Sequence, residues 1–544
     1  MAYSRRKFLK SSGSTISALT AAPALSLLPQ SAYSASWVEN LAYQAIVPEL
    51  YTPTSKPPVY TKAIVIGSGF GGAISAYRLA RAGIQTTVLE RGLRWPNSNR
   101  RQIFATDALP DWRGYWHRTS FKGLTGVTYT FPYFNGVFDC TSFKNIDVWR
   151  GACVGGGSVV FTGVMIQPRQ EYFDAIYRGL VNWDEMNKIY YPRVRAMLNL
   201  GSMPDDVYSS TPFGHSRIWD QQARKAGFVT SRTDSIFNWN VVRAELANRC
   251  RASATIGESN LGNSNGAKFD LNQNYLKYAE ATGKATVYPS HEVQRITFDG
   301  SRYVVNTIKY APDGTVKDRY DLTCDYLFLA AGSVGSSQLM VHARGRGDLP
   351  NLNEFVGEGW GTNGDTSASR SWNPLKGVLQ GSPNASLLHQ RGALPTTLES
   401  WYTPGMPIDV GIVGSLGMAF DQTNRGRFIY DPISDKVDLH WATSGNDDAI
   451  AMARQINNAI AAANGVLPGA WPFAPDVNGS FTAHPLGGLV LGKATDAYGR
   501  LVGYKRLYAM DGSVIPGTTG AVNPSLTISA LAERNIENII AADF

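Results

Sequence analysis

The sequence predicts two domains of mixed class: an α/β domain on a parallel sheet, and an α+β domain of mostly antiparallel sheet with helices. Three observations carry this. At 544 residues the chain is too long for one compact core, so two domains are the default. Two apolar runs, 63–66 and 325–331, each lead directly into glycine, as buried parallel strands do. Residues 352–475 instead hold several strand-like segments, among them 427–430, and a helical pattern near 447–463.

The first domain opens at residue 59. After the strand come Gly67-Ser68-Gly69-Phe70-Gly71-Gly72, an alanine-rich helix over 73–82 with Ile74 and Leu79, the stop Gly83, and a second strand over 85–89 ending in Glu90. Gly67, Gly69 and Gly72 stand at G-x-G-x-x-G spacing, which permits a tight turn, close approach of backbone to a pyrophosphate, and close packing of helix on sheet. A carboxylate at the end of the second strand is placed to accept hydrogen bonds from an adenosine ribose. Strand, turn, helix, strand and acid together make a dinucleotide-binding unit. Its sheet resumes at 325–331, about 260 residues later, with Gly332-Ser333-Val334-Gly335 and a helix over 336–343, so the domain is discontinuous. Segments 286–296 and 303–309 read as an antiparallel meander before that return.

Composition excludes several classes. Hydrophobic residues make up 43% and charged residues 17%, as in a soluble globular protein, and 13 Trp with 26 Tyr leave material for an apolar ligand cavity. Net charge is +8, but no dense Lys/Arg run lies outside the N-terminus, which speaks against nucleic acid and allows only weak, transient attraction to a membrane surface. Cys140, Cys153, Cys250 and Cys324 show no C-x-x-C spacing, so buried thiols are expected, with no disulfide framework and no metal site. A monomer is expected. Residues 1–36 are set aside as a targeting segment. Ser4-Arg5-Arg6-Lys7-Phe8-Leu9-Lys10 resembles a twin-arginine export signal, and the apolar stretch 16–28 behind it is too short to span a bilayer. A periplasmic or secreted location follows as an expectation.

Residues 38–57, with Pro48, Pro53 and Pro57, read as a connecting arm. The aromatic-rich tract 91–139 reads as loops and short strands, which either pack locally or cover an apolar cavity. Gly155-Gly156-Gly157, between Val154 and Val159, predicts a buried turn whose N–H groups meet a ligand. An amphipathic helix is predicted over 184–197, and 201–265 shows no strong motif.

The C-terminal block holds His484-Pro485-Leu486-Gly487-Gly488, then Ala509-Met510-Asp511-Gly512-Ser513, and closes with Val522-Asn523-Pro524-Ser525. With the glycine fingerprint and the triple glycine, in this order, the chain resembles the glucose–methanol–choline (GMC) oxidoreductases. Within them it is similar to the bacterial cholesterol oxidases with non-covalent FAD. The resemblance runs from about residue 59 to the C-terminus. It implies a Rossmann-like FAD-binding domain over 58–100, 270–350 and 485–544, and a substrate-binding domain over 101–269 and 351–484, with 150–165 also lining FAD. It also implies a sterol or another bulky apolar alcohol as substrate and O2 as acceptor.

His484 is the candidate base, since an imidazole near neutrality accepts a proton at working pH, and Asn523 is its family partner at the substrate oxygen or flavin. Independently, Asn523-Pro524 reads as N-cap and first residue of a terminal helix whose positive end would face the ligand. Carried over by position, Gly67, Gly69, Phe70, Gly71, Gly72, Glu90, Gly157, Val293 (through its backbone), Asp511, Gly512, Asn523 and Ser525 are expected at FAD.

Two departures stand out. The family's Glu that moves a proton from C4 to C6 of the steroid aligns with Gln390, and a carboxamide cannot serve as that base. Isomerisation to the 4-en-3-one is therefore expected to be weak. His389 next to it would point to the opposite face of a strand. Phe161 stands where the family has Asn after the triple glycine. The readings are a steroid 3β-hydroxyl oxidase, an oxidase or dehydrogenase of another bulky apolar alcohol, or a non-catalytic flavin- and sterol-binding protein.

Overall fold

The computed structural model describes residues 37–106, 110–122, 128–371, 380–402, 411–469 and 475–544. The twin-arginine segment, 1–36, lies outside the described residues.

Strand β1 (Tyr60–Ile66) runs into Gly67, helix α1 (Phe70–Arg81) follows, and β2 (Thr86–Leu89) returns parallel to β1, Ala63 opposite Thr86 and Ile66 opposite Leu89. Val65 and Val88 are wholly buried, as strands covered on both faces require. Strand Ala285–Tyr288 extends the sheet beyond β2, and strands His291–Phe298 and Tyr303–Tyr310 form the expected meander. The long strand β3 (Val316–Leu329) belongs to both patterns. Its exposed first half pairs antiparallel with Tyr303–Tyr310, while its buried second half lies parallel to β1, Ile66 opposite Leu329. Helix α2 (Gly332–Gly345) then covers the sheet.

The chain crosses to a six-stranded, wholly antiparallel sheet containing β4 (Thr366–Ser371), β5 (Ser386–Gln390), β6 (Thr396–Trp401) and β7 (Ile412–Ala419). The order is Val477–Asn478, β4, β7, β6, β5, Thr230–Arg232. One face carries Ala368, Leu388, Leu398 and Val413, which pack on Trp219 and Ala223 of helix Gly214–Lys225 and on Ile456 and Ile460 of helix α3 (Asp447–Asn464). Side chains alternate along a strand, so the neighbours of these residues point to the other face. The chain then rejoins the first sheet through β8 (Leu507–Ala509), parallel to β3, and ends in helix α4 (Ser525–Asp543).

Gly67 has φ +97°, a conformation that leaves glycine the only comfortable choice. A Cβ on Gly71 would lie 1.8 Å from the Met510 carbonyl oxygen, so the start of α1 is pressed against the end of β8. Farther along, Arg78 of α1 donates twice to Glu533 of α4, Nε to Oε2 at 2.7 Å and Nη2 to Oε1 at 2.9 Å, and Tyr275 Oη donates to Oε1 at 2.8 Å.

Two local expectations change. The arm is a helix over Trp37–Ile46, with Tyr43 stacked on Trp112 at 4.0 Å and buried with Val47 and Leu50. Tyr43, Val47 and Leu50 stand at i, i+4, i+7, and Pro48 ends the helix rather than forbidding it. The helix expected over 184–197 is broken into Trp183–Glu185, a wide turn over Met186–Tyr190, and Tyr191–Met197. Pro192, which has no N–H to give to the preceding turn, explains the break. The aromatics of the 91–139 tract pack largely on each other, Tyr115 on Phe131 at 5.5 Å and Trp112 on Phe134 at 4.6 Å.

Glu533 is fully buried and Arg78 about one quarter exposed, so Glu533→Ala leaves a mostly buried cation without its partner. We expect a loss of about 2–4 kcal/mol in urea or thermal unfolding. A loss under about 0.5 kcal/mol would show that the two chain ends are held together by other contacts.

Candidate active site

The site is assembled from two loops and one turn. The turn is Thr362-Asn363-Gly364-Asp365, immediately before β4. Asn363 takes φ +59°, a left-handed conformation that Asn tolerates. Its Oδ1 accepts from Thr519 N at 2.9 Å and its Nδ2 donates to the Val522 carbonyl at 2.8 Å. That fastens the loop leading into Asn523. Asp365 Oδ2 accepts from Thr482 Oγ1 (2.9 Å), Ala483 N (2.9 Å) and His484 N (3.1 Å), while Oδ1 receives His484 Nδ1 at 2.7 Å. Two polar side chains of one turn thus hold both candidate catalytic loops.

The bond to Asp365 keeps the Nδ1 proton of His484 in place and leaves Nε2 as the basic nitrogen. Burial disfavours the imidazolium, but the Asp365 charge and hydrogen bond, together with Glu399, outweigh it and raise the pKa above its usual value. Glu399 is itself fully buried on β6. Burial pushes its carboxyl up to about 7, against the Asn384 carboxamide, the His484 charge and the Asn523 side chain, which pull it down. Asn384 Nδ2 donates to Glu399 Oε2 at 3.0 Å. Glu399 Oε1 and Asn523 Oδ1 are buried without a partner among the described residues, as groups awaiting a polar ligand would be.

Gln390 does not belong to this constellation, which corrects the expectation drawn from the alignment. Gln390 pairs with Thr396 and shares the helix-covered face with Leu388 and Leu398, beside Met452 and Ile456 of α3. Glu399 pairs with Leu387 and points to the opposite face. A buried carboxyl is thus present on the site face at position 399, and the inference of weak isomerisation loses its premise. His389 does point away from Gln390, and so onto the site face. There Nδ1 meets Thr397 Oγ1 and Nε2 meets Tyr172 Oη, each at 3.0 Å. The apolar side chains of Leu387, Leu416 and Met418 share that face.

A second correction concerns Asn523. The terminal helix begins at Ser525 with Pro524 in the capping position, and no side chain caps it. Asn523 therefore keeps its carboxamide oxygen free for the site.

The dinucleotide cradle lies at the start of α1. Ser68 N and Oγ donate to Glu90 Oε2 at 3.1 and 2.7 Å, and Gly92 N to Oε1 at 3.0 Å, so Glu90 closes the glycine turn. Gly155 N donates to Ser68 Oγ at 3.1 Å, joining the triple glycine to the same turn. A Cβ placed on Gly69 or Gly157 would meet nothing within 4 Å. Both face open space, and the first N–H groups of α1 have no partner within the helix, as an anion site needs. Phe70 and Phe161 meet edge to face at 5.6 Å beside it. Val293 lies in the strand whose first residue, His291, donates to the Glu90 carbonyl at 2.8 Å. Asp511 spends both oxygens on Gly332 N, Ser336 Oγ and Ser513 N, so it anchors Gly512 to α2 and holds the cradle's wall. Ser525 is the first residue of α4.

Family comparisons agree with this layout. GMC oxidoreductase models match residues 129–358 and 424–532, and an NAD(P)-binding Rossmann-like model matches 65–130. The chain is a GMC oxidoreductase. Among similar proteins are the cholesterol oxidase of Mycobacterium tuberculosis, 27% identical over 87% of this chain and 89% of that one, and the cholesterol oxidase of Acinetobacter baumannii, 25% identical over 88% and 94%. Solved structures of the same fold include Aspergillus oryzae formate oxidase (TM-score 0.62, 11% identity, 90% of this chain and 99% of that one). Pyridoxine 4-oxidase from Mesorbium loti is another (TM-score 0.58, 15% identity, 89% and 100%). GMC oxidoreductases use FAD to oxidise alcohols, and this chain is an FAD-dependent alcohol oxidoreductase. The open cradle at Gly69 and Gly157 fits the cofactor's pyrophosphate.

The sequence did not point to Asp365 or Glu399. Asp365 carries one signal, an Asn-Gly-Asp turn directly before a strand. Asp365→Asn should keep FAD bound while lowering kcat by roughly 10²-fold or more, because the ring loses its orienting charge and tautomer control. A wild-type kcat in stopped-flow flavin reduction would remove Asp365 from the mechanism.

Proposed function

We propose that this GMC oxidoreductase oxidises the 3β-hydroxyl of a steroid to the ketone and then moves the double bond, with O2 reduced to H2O2. The observation that carries the reading is that buried Glu399, on one face of the second sheet, interacts electrostatically with His484 and with the Asn523 side chain. The similarity to cholesterol oxidases and the apolar Leu387, Leu416 and Met418 on that face support a bulky apolar alcohol.

His484 Nε2 accepts the proton of the substrate hydroxyl. Asp365 holds the ring and stabilises the imidazolium that forms. Asn523 orients the substrate oxygen. FAD, non-covalently held in the cradle, supplies the hydride acceptor. Glu399, with a pKa near neutrality, then takes a proton from C4 and returns it to C6, a task for which a carboxyl half protonated at working pH is well matched. Export by the twin-arginine route to the periplasm or medium belongs to the same proposal, and fractionation of cells expressing the full chain tests it.

Product analysis with cholesterol distinguishes the roles. The wild type should release the 4-en-3-one, and Glu399→Gln should accumulate the 5-en-3-one with oxidation largely retained. An unchanged product ratio would remove Glu399 from the isomerisation. His484→Ala should bind FAD yet reduce it at least about 10²-fold more slowly, and unchanged reduction would refute its role as base.

The pH dependence has a definite sign. Asp365 and Glu399 raise the His484 pKa, so the basic form is populated only as pH rises through that raised value, and kcat/KM should climb with it. Glu399→Gln removes one of the raising charges, so the ascending limb should move to lower pH. A limb that stays in place or moves to higher pH would contradict the coupling.

A further inference from the structure

Asn384 stands just before β5 and is fully buried. Its backbone is fixed from two sides. Thr233 Oγ1 donates to the Asn384 carbonyl at 2.8 Å, and Thr233 N donates to the Ala385 carbonyl at 3.0 Å. From the other side, Ser400 Oγ of β6 accepts from Ala385 N at 3.3 Å and Ser386 N at 3.2 Å. The carboxamide is held at one end only. Its Nδ2 donates to Glu399 Oε2 at 3.0 Å, and its Oδ1 has no partner among the described residues. A buried amide oxygen left unpaired costs stability, so this side chain is a poor choice for packing alone.

The two oxygens of Glu399 are thereby made unequal. An ionised carboxylate only accepts, which turns the NH2 end of Asn384 toward it. A proton placed on Oε2 in that direction would meet another donor. Oε1 has no partner among the described residues and is the oxygen left for the substrate. The carboxyl can take the C4 proton on Oε1 and return the same proton to C6, while Oε2 accepts from Asn384 throughout. No net proton is gained or lost, and neither side chain has to rotate.

We propose that Asn384 is a positioning residue for the isomerisation, holding Glu399 by Oε2 and so confining the travelling proton to Oε1. This rests on the reading of Glu399 as the isomerising carboxyl. Burial dominates the Glu399 pKa and raises it; Asn384, the His484 charge and Asn523 pull it down, and the Asp365 charge adds to the rise. Leu387 and Leu416, which pair with Glu399 on the neighbouring strands, carry no charge.

The test supplies the 5-en-3-one directly to the FAD-loaded enzyme, so that isomerisation is read apart from oxidation. Asn384→Leu removes the donor at nearly constant volume. It should slow isomerisation roughly tenfold or more. It should also move the ascending pH limb upward, because the ionised carboxyl has lost a hydrogen bond. A wild-type rate would overturn the proposal, and a slower variant whose limb stays in place would mark a packing role and overturn it as well. Glu399→Gln separates the two levels of the argument: if it isomerises at the wild-type rate, the reading of Glu399 falls and the role of Asn384 with it. A second measurement needs no variant. Neutron diffraction from deuterium-exchanged wild-type crystals below about pH 7 should place the Glu399 deuteron on Oε1, and a deuteron on Oε2 would refute the assignment.

Discussion

The catalytic arrangement depends on one four-residue turn. Asn363 and Asp365 are separated by a single glycine, yet one binds the loop at 518–522 and the other the loop at 482–484. The loop at 482–484 leaves the two-residue strand Phe481–Thr482 just before His484, and 518–522 has no regular structure, so the clamp places both. Asp365 is fully buried and accepts four hydrogen bonds, three from 482–484 backbone and hydroxyl groups and one from the imidazole. That number of donors is what makes a buried carboxylate tolerable. The same donors leave it no freedom to move, and His484 inherits that rigidity. A hydrogen-bonded clamp on strand β4 thus does for this site what a strand end does for sites built directly on a sheet.

The cradle shows how the chain ends are brought to that clamp. The first helix of the fold meets the last strand and the last helix, through the Gly71–Met510 approach and the Arg78–Glu533 pair. The glycine cradle is built from residues 67–92, while His484 and Asn523 come from residues after 480. Their mutual distance is set by packing between elements more than 400 residues apart in sequence. Asp511 contributes to the same closure by joining the end of β8 to the start of α2.

The legible parts of the fold were those whose signal is local. The β1–α1–β2 unit, Glu90 and the buried half of β3 each announce themselves by apolar runs, glycine spacing or a terminal acid, and all stand where the pattern puts them. His484 was legible because the glycines behind Pro485 and the family motif mark it. What could not be read depends on pairing. Gln390 and Glu399 lie on adjacent strands, and which of them faces the site follows from the register Gln390–Thr396 and Leu387–Glu399, a property of neither strand alone. Asp365 is a single acid in a turn, and its importance appears only when residues 482–484 arrive. The capping position of α4 moved by one residue for a similar reason, since Asn523 is retained by the site rather than by the helix.

The second sheet carries ionisable groups on both faces, and they are treated in opposite ways. On the site face Glu399 and His484 share a buried region with Asp365, so protons can be exchanged at modest cost while the total charge stays the same. Burial raises the Glu399 carboxyl to about 7, while the charges of Asp365 and Glu399 raise the His484 imidazole above its usual value. On the helix face Arg370 donates only to the neutral side chains of Gln222, Asn457 and Ser415 among the described residues, and a guanidinium cannot relieve its burial by giving up a proton near neutral pH. The alternation of side chains along β4 to β7 keeps these two buried charges on separate faces of the sheet.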